Sequence, residues 1–204
     1  VIVTPQCLAE MLGIIEGNFL SDQVLINKTS PYLDKLGKRI AAESVTVFSA
    51  PLSEELVDGY RATADGYLAK NMPLIENGEL KNFVVSRYGA ARTGLKRSDS
   101  DGGCYIMNGG DTPLSEIIKS TKKGLLMNRF SAGSPGVNGD VTGVAKNSFL
   151  IENGQIVGAV SETMFSGNLT EMLMNVKAIS SERINDGSCI LPWVDFGGVT
   201  VSGK

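Results

Sequence analysis

The chemistry open to this chain is bounded first by a residue it does not contain. Its 204 residues include no histidine, so Ser-His-Asp and Cys-His nucleophile pairs and histidine-built zinc sites cannot be assembled from it. Three cysteines are present, Cys7, Cys104 and Cys189. They lie far apart and are odd in number, which fits a reducing compartment better than a disulfide scaffold, and each reads as a small buried hydrophobe. Gly133-Ser-Pro-Gly136 and Gly139-Asp-Val-Thr-Gly143 could offer backbone N–H groups to an anion. No Gly-x-x-x-x-Gly-Lys-Ser/Thr pattern follows them, so a nucleotide site is not indicated. Ser134 is not in a Gly-x-Ser-x-Gly elbow and has no histidine base, and nothing selects a Ser–Lys pair. Glu54-Glu55 and Asp99/Asp101 read as solvated surface. Asp99-x-Asp101-Gly102 lacks the remaining ligands and the terminal glutamate of a calcium loop.

Charge and hydropathy narrow the classes further. The net charge is −3 with a sequence pI near 5.1, which argues against the phosphate-neutralising patches that direct nucleic-acid binding needs. No apolar run reaches the roughly 20 residues that span a bilayer, so no membrane contact is expected. The size suggests one domain with its own core.

The elements that must position any site begin with Thr4-Pro5, an N-cap hydroxyl followed by proline at the first helical position. Leu8, Met11, Leu12, Ile15 and Phe19 then recur at helical spacing. Gly13 and Gly17 are costly inside such a helix. Ser30-Pro31 predicts a second, shorter helix through Ile40, and Ser44–Phe48 a strand. Leu74-Ile-Glu-Asn-Gly78 recurs as Leu150-Ile-Glu-Asn-Gly154, and each Asn-Gly predicts a tight hairpin. Residues 88–111 read as loop. Asp111-Thr112-Pro113 predicts a helix running to Lys122-Lys123, with Gly124 as its stop. Asn168-Leu-Thr-Glu171 resembles a capping box opening a helix that carries Leu169, Met172, Leu173, Val176 and Ile179 on one face. Cys189–Val194 and Val199–Val201 read as closing strands around Phe196-Gly-Gly198. The fold class expected is α+β: a curled, largely antiparallel, barrel-like sheet with a few helices and two Asn-Gly hairpins.

Taken in order, several segments resemble the TldD/PmbA family, whose PmbA branch is also called TldE. They are Lys123-Gly-Leu-Leu-Met-Asn-Arg-Phe-Ser-Ala-Gly133, Gly139-Asp140, Phe149-Leu-Ile-Glu-Asn-Gly-Gln-Ile-Val157, Gly167-Asn168 and Gly197-Gly-Val-Thr-Val-Ser-Gly203. Leu33-Asp-Lys-Leu-Gly37 and Val45-Thr-Val47 add to them, so the similarity covers essentially the whole chain. It implies a single C-terminal domain over residues 1–204, with the family's N-terminal α/β domain absent from this chain. It also implies a cytoplasmic zinc-peptidase system in which a TldD subunit is catalytic and a PmbA/TldE subunit pairs with it.

The active branch carries His-Glu-x-x-x-His on its first helix. By chain order that position reads Gly13-Ile-Ile-Glu-Gly-Asn18 here. Both histidines are replaced, by Gly13 and Asn18, the adjacent glutamate becomes Ile14, and Glu16 alone cannot rebuild the site. The active branch also uses a late cysteine ligand, but the surroundings of Cys189 do not match it and the role is not carried over.

The expectation is therefore a non-catalytic PmbA/TldE-like subunit, with no cofactor in this chain and zinc only in a TldD-type partner. Partners would be a TldD-like subunit or further copies of the chain, and a peptide or unfolded-protein substrate. Arg129, Ser131, Gly133 and Asn168 are the candidate peptide-groove residues, on a sheet edge open to main-chain pairing. The alternatives are an independent hydrolase with an unidentified site, or a regulatory protein acting on DNA gyrase.

Overall fold

The structure is a computed structural model that describes residues 1–203. In chain order the elements are β1 (Ile2–Val3), α1 (Pro5–Ile15), a π-helical turn (Glu16–Leu20), α2 (Asp22–Ile26), β2 (Val47–Ser49), β3 (Met72–Glu76), β4 (Glu79–Leu80), α3 (Arg87–Thr93), β5 (Tyr105–Met107) and α4 (Leu114–Ser120). There follow β6 (Lys123–Met127), β7 (Arg129–Ala132), β8 (Asp140–Lys146), β9 (Phe149–Glu152), β10 (Gln155–Ala159), β11 (Met164–Asn168), α5 (Leu169–Met174), β12 (Val176–Asn185), β13 (Ile190–Phe196) and β14 (Thr200–Ser202).

Two sheets share these strands. The larger runs β10-β9-β6-β1-β13-β5-β2-β3-β4, with β12 also on β13, and the smaller runs β14-β11-β8-β7. The large sheet is mixed, because β1 lies parallel to β6 and β13 parallel to β5 while its other pairings are antiparallel. Among the described residues neither strand order returns to its starting strand, so the expected barrel-like curl does not close.

Alternation along β1 sets the layers. Val3 packs with α1 in the main core, while the next side chain, Ile2, meets Ile117 of α4 and Ile151 in a second cluster. Neighbouring residues on a strand point to opposite faces, so α1 and α4 cover opposite sides of the large sheet. β13 is buried along most of its length, as a strand covered on both faces must be. In β8 the inward residues Val141, Gly143 and Ala145 alternate with exposed ones, giving the small sheet one packed face. Met11 and Ile14 of α1 meet Phe130, Val141 and Phe165 of that face, and Phe130 and Phe165 stack edge to face at 5.6 Å. Helix α1 therefore lies between the two sheets.

Thr4 opens α1, accepting from the Cys7 N–H at 3.3 Å while its hydroxyl donates to Asn128 Oδ1 at 3.0 Å. Asn77-Gly78 joins β3 to β4, and Asn153-Gly154 joins β9 to β10, with positive φ at all four residues. At Gly78 a Cβ would sit 2.4 Å from the Ala41 carbonyl oxygen, and at Gly154 2.5 Å from that of Lys119. Backbone conformation and close approach therefore both require glycine there.

Several expected elements differ. Residues after Ser30-Pro31 form turns rather than a helix. The Ser30 hydroxyl is committed to the Phe19 carbonyl and to the Tyr32 N–H, and Gly37 takes φ 73° soon after. Residues 88–111 contain most of α3 and all of β5 rather than loop alone. Helix α4 ends at Ser120, because Thr121 turns extended and its hydroxyl donates back to the Ile117 carbonyl at 2.9 Å; Lys123 and Gly124 already belong to β6. Helix α5 stops at Met174, and Val176 and Ile179 lie on β12.

Candidate functional site

Helix α1 carries the Gly13–Asn18 stretch to the solvent-facing side of the inter-sheet layer and there loosens into the π-helical turn. A π-bulge is rare and often marks a functional position. Gly13 and Gly17 face solvent, and an added Cβ at either would meet nothing within 4 Å. The Asn18 amide turns back to donate to the Ile14 carbonyl at 2.9 Å, and the Ser21 hydroxyl donates to the Gly17 carbonyl at 2.6 Å. Both bonds turn side-chain donors back onto carbonyls of the helix and the turn themselves.

Glu16 points the other way, into the protein. Its Oε2 accepts from the Gly103 N–H and from the Tyr105 hydroxyl, both at 3.0 Å. Burial raises the carboxyl above its ordinary value, and the two donors partly offset this. The loop that grips it, Gly102-Gly103-Cys104, holds three successive residues at positive φ, of 83°, 64° and 47°. Such a run is unusual for cysteine; it aims the Gly103 N–H at the Glu16 carboxylate, while the Gly102 N–H donates to the Ser100 hydroxyl at 3.1 Å. Tyr60 braces the loop from outside, donating to the Gly102 carbonyl and accepting from the Asp101 N–H, each at 2.8 Å. Burial, reinforced by Glu16, pushes the Tyr105 phenol far up, so it serves as a fixed donor.

Cys104 and Cys189 flank this grip. Cys189 is buried beside Tyr105 and its thiol is pushed up to about 11, chiefly by burial. Cys104 is half-buried, and burial followed by Asp58 and Glu16 raises it too. Cys7 is fully enclosed in the core. Among the described residues no three His, Cys, Asp or Glu side chains form a group able to hold a metal ion. The residues of the Gly13–Asn18 stretch do not fit zinc: Gly13 has no side chain, the Asn18 amide is turned away, and Glu16 is engaged.

The candidate groove residues separate into two places. Arg129 and Ser131 are exposed on β7, which among the described residues pairs only with β8 and so leaves one edge free. The Arg129 guanidinium reaches Glu10 of α1 with Nε to Oε1 at 3.5 Å. Gly133 follows β7 with open space around it. Asn168 lies on β11 and is committed to structure. Its Oδ1 caps α5, accepting from Thr170 and Glu171 N–H at 3.0 and 3.2 Å. Its Nδ2 donates to the Asn138 carbonyl and to Asp140 Oδ1, both at 2.9 Å. Sequence reasoning passed over Gly103, Tyr105 and Tyr60, although the Gly102-Gly103 doublet before Cys104 was a visible signal of an unusual backbone.

The whole described chain is similar to known proteins. A family model, the PmbA/TldA metallopeptidase C-terminal domain, matches residues 1–203. A metalloprotease of Methanocaldococcus jannaschii is 28% identical over 93% of this chain and 45% of its own length. The metalloprotease PmbA of Escherichia coli O157:H7 is 28% identical over 84% of this chain and 40% of its own length. The crystal structure of TldE from Thermococcus kodakarensis superposes with a TM-score of 0.82 at 25% identity, over 99% of this chain and 49% of that one. A Bacteroides thetaiotaomicron protein proposed to modulate DNA gyrase superposes with a TM-score of 0.89 at 25% identity, over 100% and 46%. The chain thus spans less than half the length of these relatives. With a match to the family's C-terminal domain from the first residue to the last described one, the chain belongs to the PmbA/TldD metallopeptidase family.

Proposed function

We propose that this chain is the non-catalytic, PmbA/TldE-like part of a peptidase system whose zinc sits in a TldD-type partner. One observation supports the reading: in the Gly13–Asn18 stretch, which chain order matches to the active branch's His-Glu-x-x-x-His, no side chain is free to hold a metal or activate water. Gly13 is bare, Asn18 donates to the helix backbone, and Glu16 is closed inside the Gly103–Tyr105 grip. The chain's contribution is to hold an extended peptide. The free edge of β7 supplies main-chain partners, Arg129 and Ser131 flank it, and Gly133 lets a chain approach closely. The working compartment is the cytoplasm.

Peptide capture tests this. Binding of an extended, fluorescently labelled peptide to the full-length protein should weaken at least about tenfold in Ser131→Pro, which disturbs the β7 edge. Unchanged binding in a folded Ser131→Pro protein sets the β7 groove aside.

A further inference from the structure

We infer that Cys104 and Cys189 are a disulfide-forming pair that staples the weakest seam of the large sheet. β13 and β5 are held by a single register pair, Ile190 with Ile106. The parallel register puts Cys189 opposite Tyr105 and therefore one residue away from Cys104 on the neighbouring strand. Cys104 precedes β5 and takes φ 47°, so the strand alternation that would turn its side chain to the opposite face does not hold there, and the Tyr105 N–H, one peptide bond from Cys104, reaches the Cys189 sulfur.

Side-chain surroundings agree with the backbone. The Cys104 thiol donates to the Asp58 carbonyl at 3.7 Å. The Asp58 and Val57 N–H groups donate to the Gly187 carbonyl, and the Ser188 hydroxyl donates to the Asp58 carboxylate at 2.5 Å. The Cys104 sulfur thus lies against Asp58, which is itself bonded to the Gly187-Ser188 loop that delivers Cys189, and Cys104 is among the groups that raise the Cys189 thiol.

The two cysteines differ in access. Cys104 is partly open to solvent and Cys189 is buried, so a peroxide meets Cys104 first. Its thiolate attacks one peroxide oxygen, giving a sulfenic acid and releasing one water. The Cys189 sulfur then attacks that sulfenic sulfur, forming the S–S bond and releasing the second water. In sum two thiols lose two electrons and two protons, and hydrogen peroxide is reduced to two waters. Because both thiols are held in the protonated form, the reaction is slow near neutral pH and accelerates as pH rises. The product joins β5 to β13 and fixes the Gly102–Cys104 loop around Glu16.

The test treats the chain with hydrogen peroxide at pH 7 and pH 9, alkylates it after unfolding, and maps tryptic peptides. Expected is a dithiothreitol-sensitive link between the peptide starting at Ser98 and the peptide starting at Ile184, within one chain and formed faster at pH 9. Cys7 should remain alkylatable. The thermal midpoint of the oxidised protein should rise, with no rise in Cys189→Ala treated in the same way. Over-oxidation of Cys104 with Cys189 still free, or a link only between chains, overturns the inference. The mapping needs no variant, so a poorly folded Cys189→Ala leaves the test intact.

Discussion

The Tyr105 hydroxyl donates to the Glu16 carboxylate across 3.0 Å, tying β5 to the π-helical turn of the first helix. This bond links the Gly13–Asn18 stretch to the seam of the large sheet. The same carboxylate oxygen also takes the Gly103 N–H, so a neutral side-chain oxygen at that place could accept both bonds.

Glu16→Gln is accordingly expected to stabilise the protein at neutral pH. The Glu16 carboxyl is raised in the folded state, mainly by burial, so the folded protein holds its proton more tightly than the unfolded chain. The stability this lends is complete below the ordinary carboxylate range and is lost as pH rises through the folded value. The variant removes that loss. Thermal midpoints of the two proteins should converge in acid and separate towards pH 7, with the variant higher.

Tyr105→Phe leaves the buried carboxylate with one donor fewer and should cost roughly 1.5–3 kcal/mol at neutral pH, the range for hydrogen bonds to charged groups. In the Glu16→Gln background the same change should cost about 1 kcal/mol. Urea unfolding of the four proteins gives the coupling directly.

Gly13→Ala should stabilise by about 0.8–1 kcal/mol, because the glycine is helical, solvent-facing and has open space where a methyl would go. Gly78→Ala should do the opposite. Its φ of 78° and the Ala41 carbonyl 2.4 Å from the new Cβ add a clash to a left-handed cost of about 1–2 kcal/mol. Denaturant midpoints of the two variants should therefore move in opposite directions from the parent.

These two glycines also show how far the sequence alone could be read. Gly78 sits in Asn-Gly, a local pair whose backbone need is written in the dipeptide, and Thr4-Pro5 is equally local. Gly13 looked like a helix defect, and only burial shows that it faces open solvent. The β5–β13 contact and the Glu16 grip join residues 84 or more apart in the chain, and no periodicity predicts such pairings. The short α3 was hidden because Ser86 caps it together with Asp22: the Asp22 carboxylate accepts from the Ser86 N–H at 3.0 Å and from the Ser86 hydroxyl. Ser30-Pro31 misled because its hydroxyl found a distant carbonyl instead of starting a helix.

Asn168→Ala should cost about 1–2 kcal/mol through loss of the α5 cap. It should also change a titration. Hydrogen bonds from Asn168 and then Asn138 hold the Asp140 carboxyl below its usual range. Without the Asn168 amide, its midpoint followed by carboxyl NMR should move up towards the ordinary aspartate value.

Metal content measured alongside peptide hydrolysis is the most direct check on the central claim. The full-length protein carrying this chain is purified alone, in zinc-supplemented buffer, then desalted and assayed with unstructured peptides. The account predicts far less than one zinc per chain and no chelator-sensitive hydrolysis until a TldD-type partner is added. One tightly held zinc per chain, with hydrolysis that stops on chelation and returns with zinc, would contradict it.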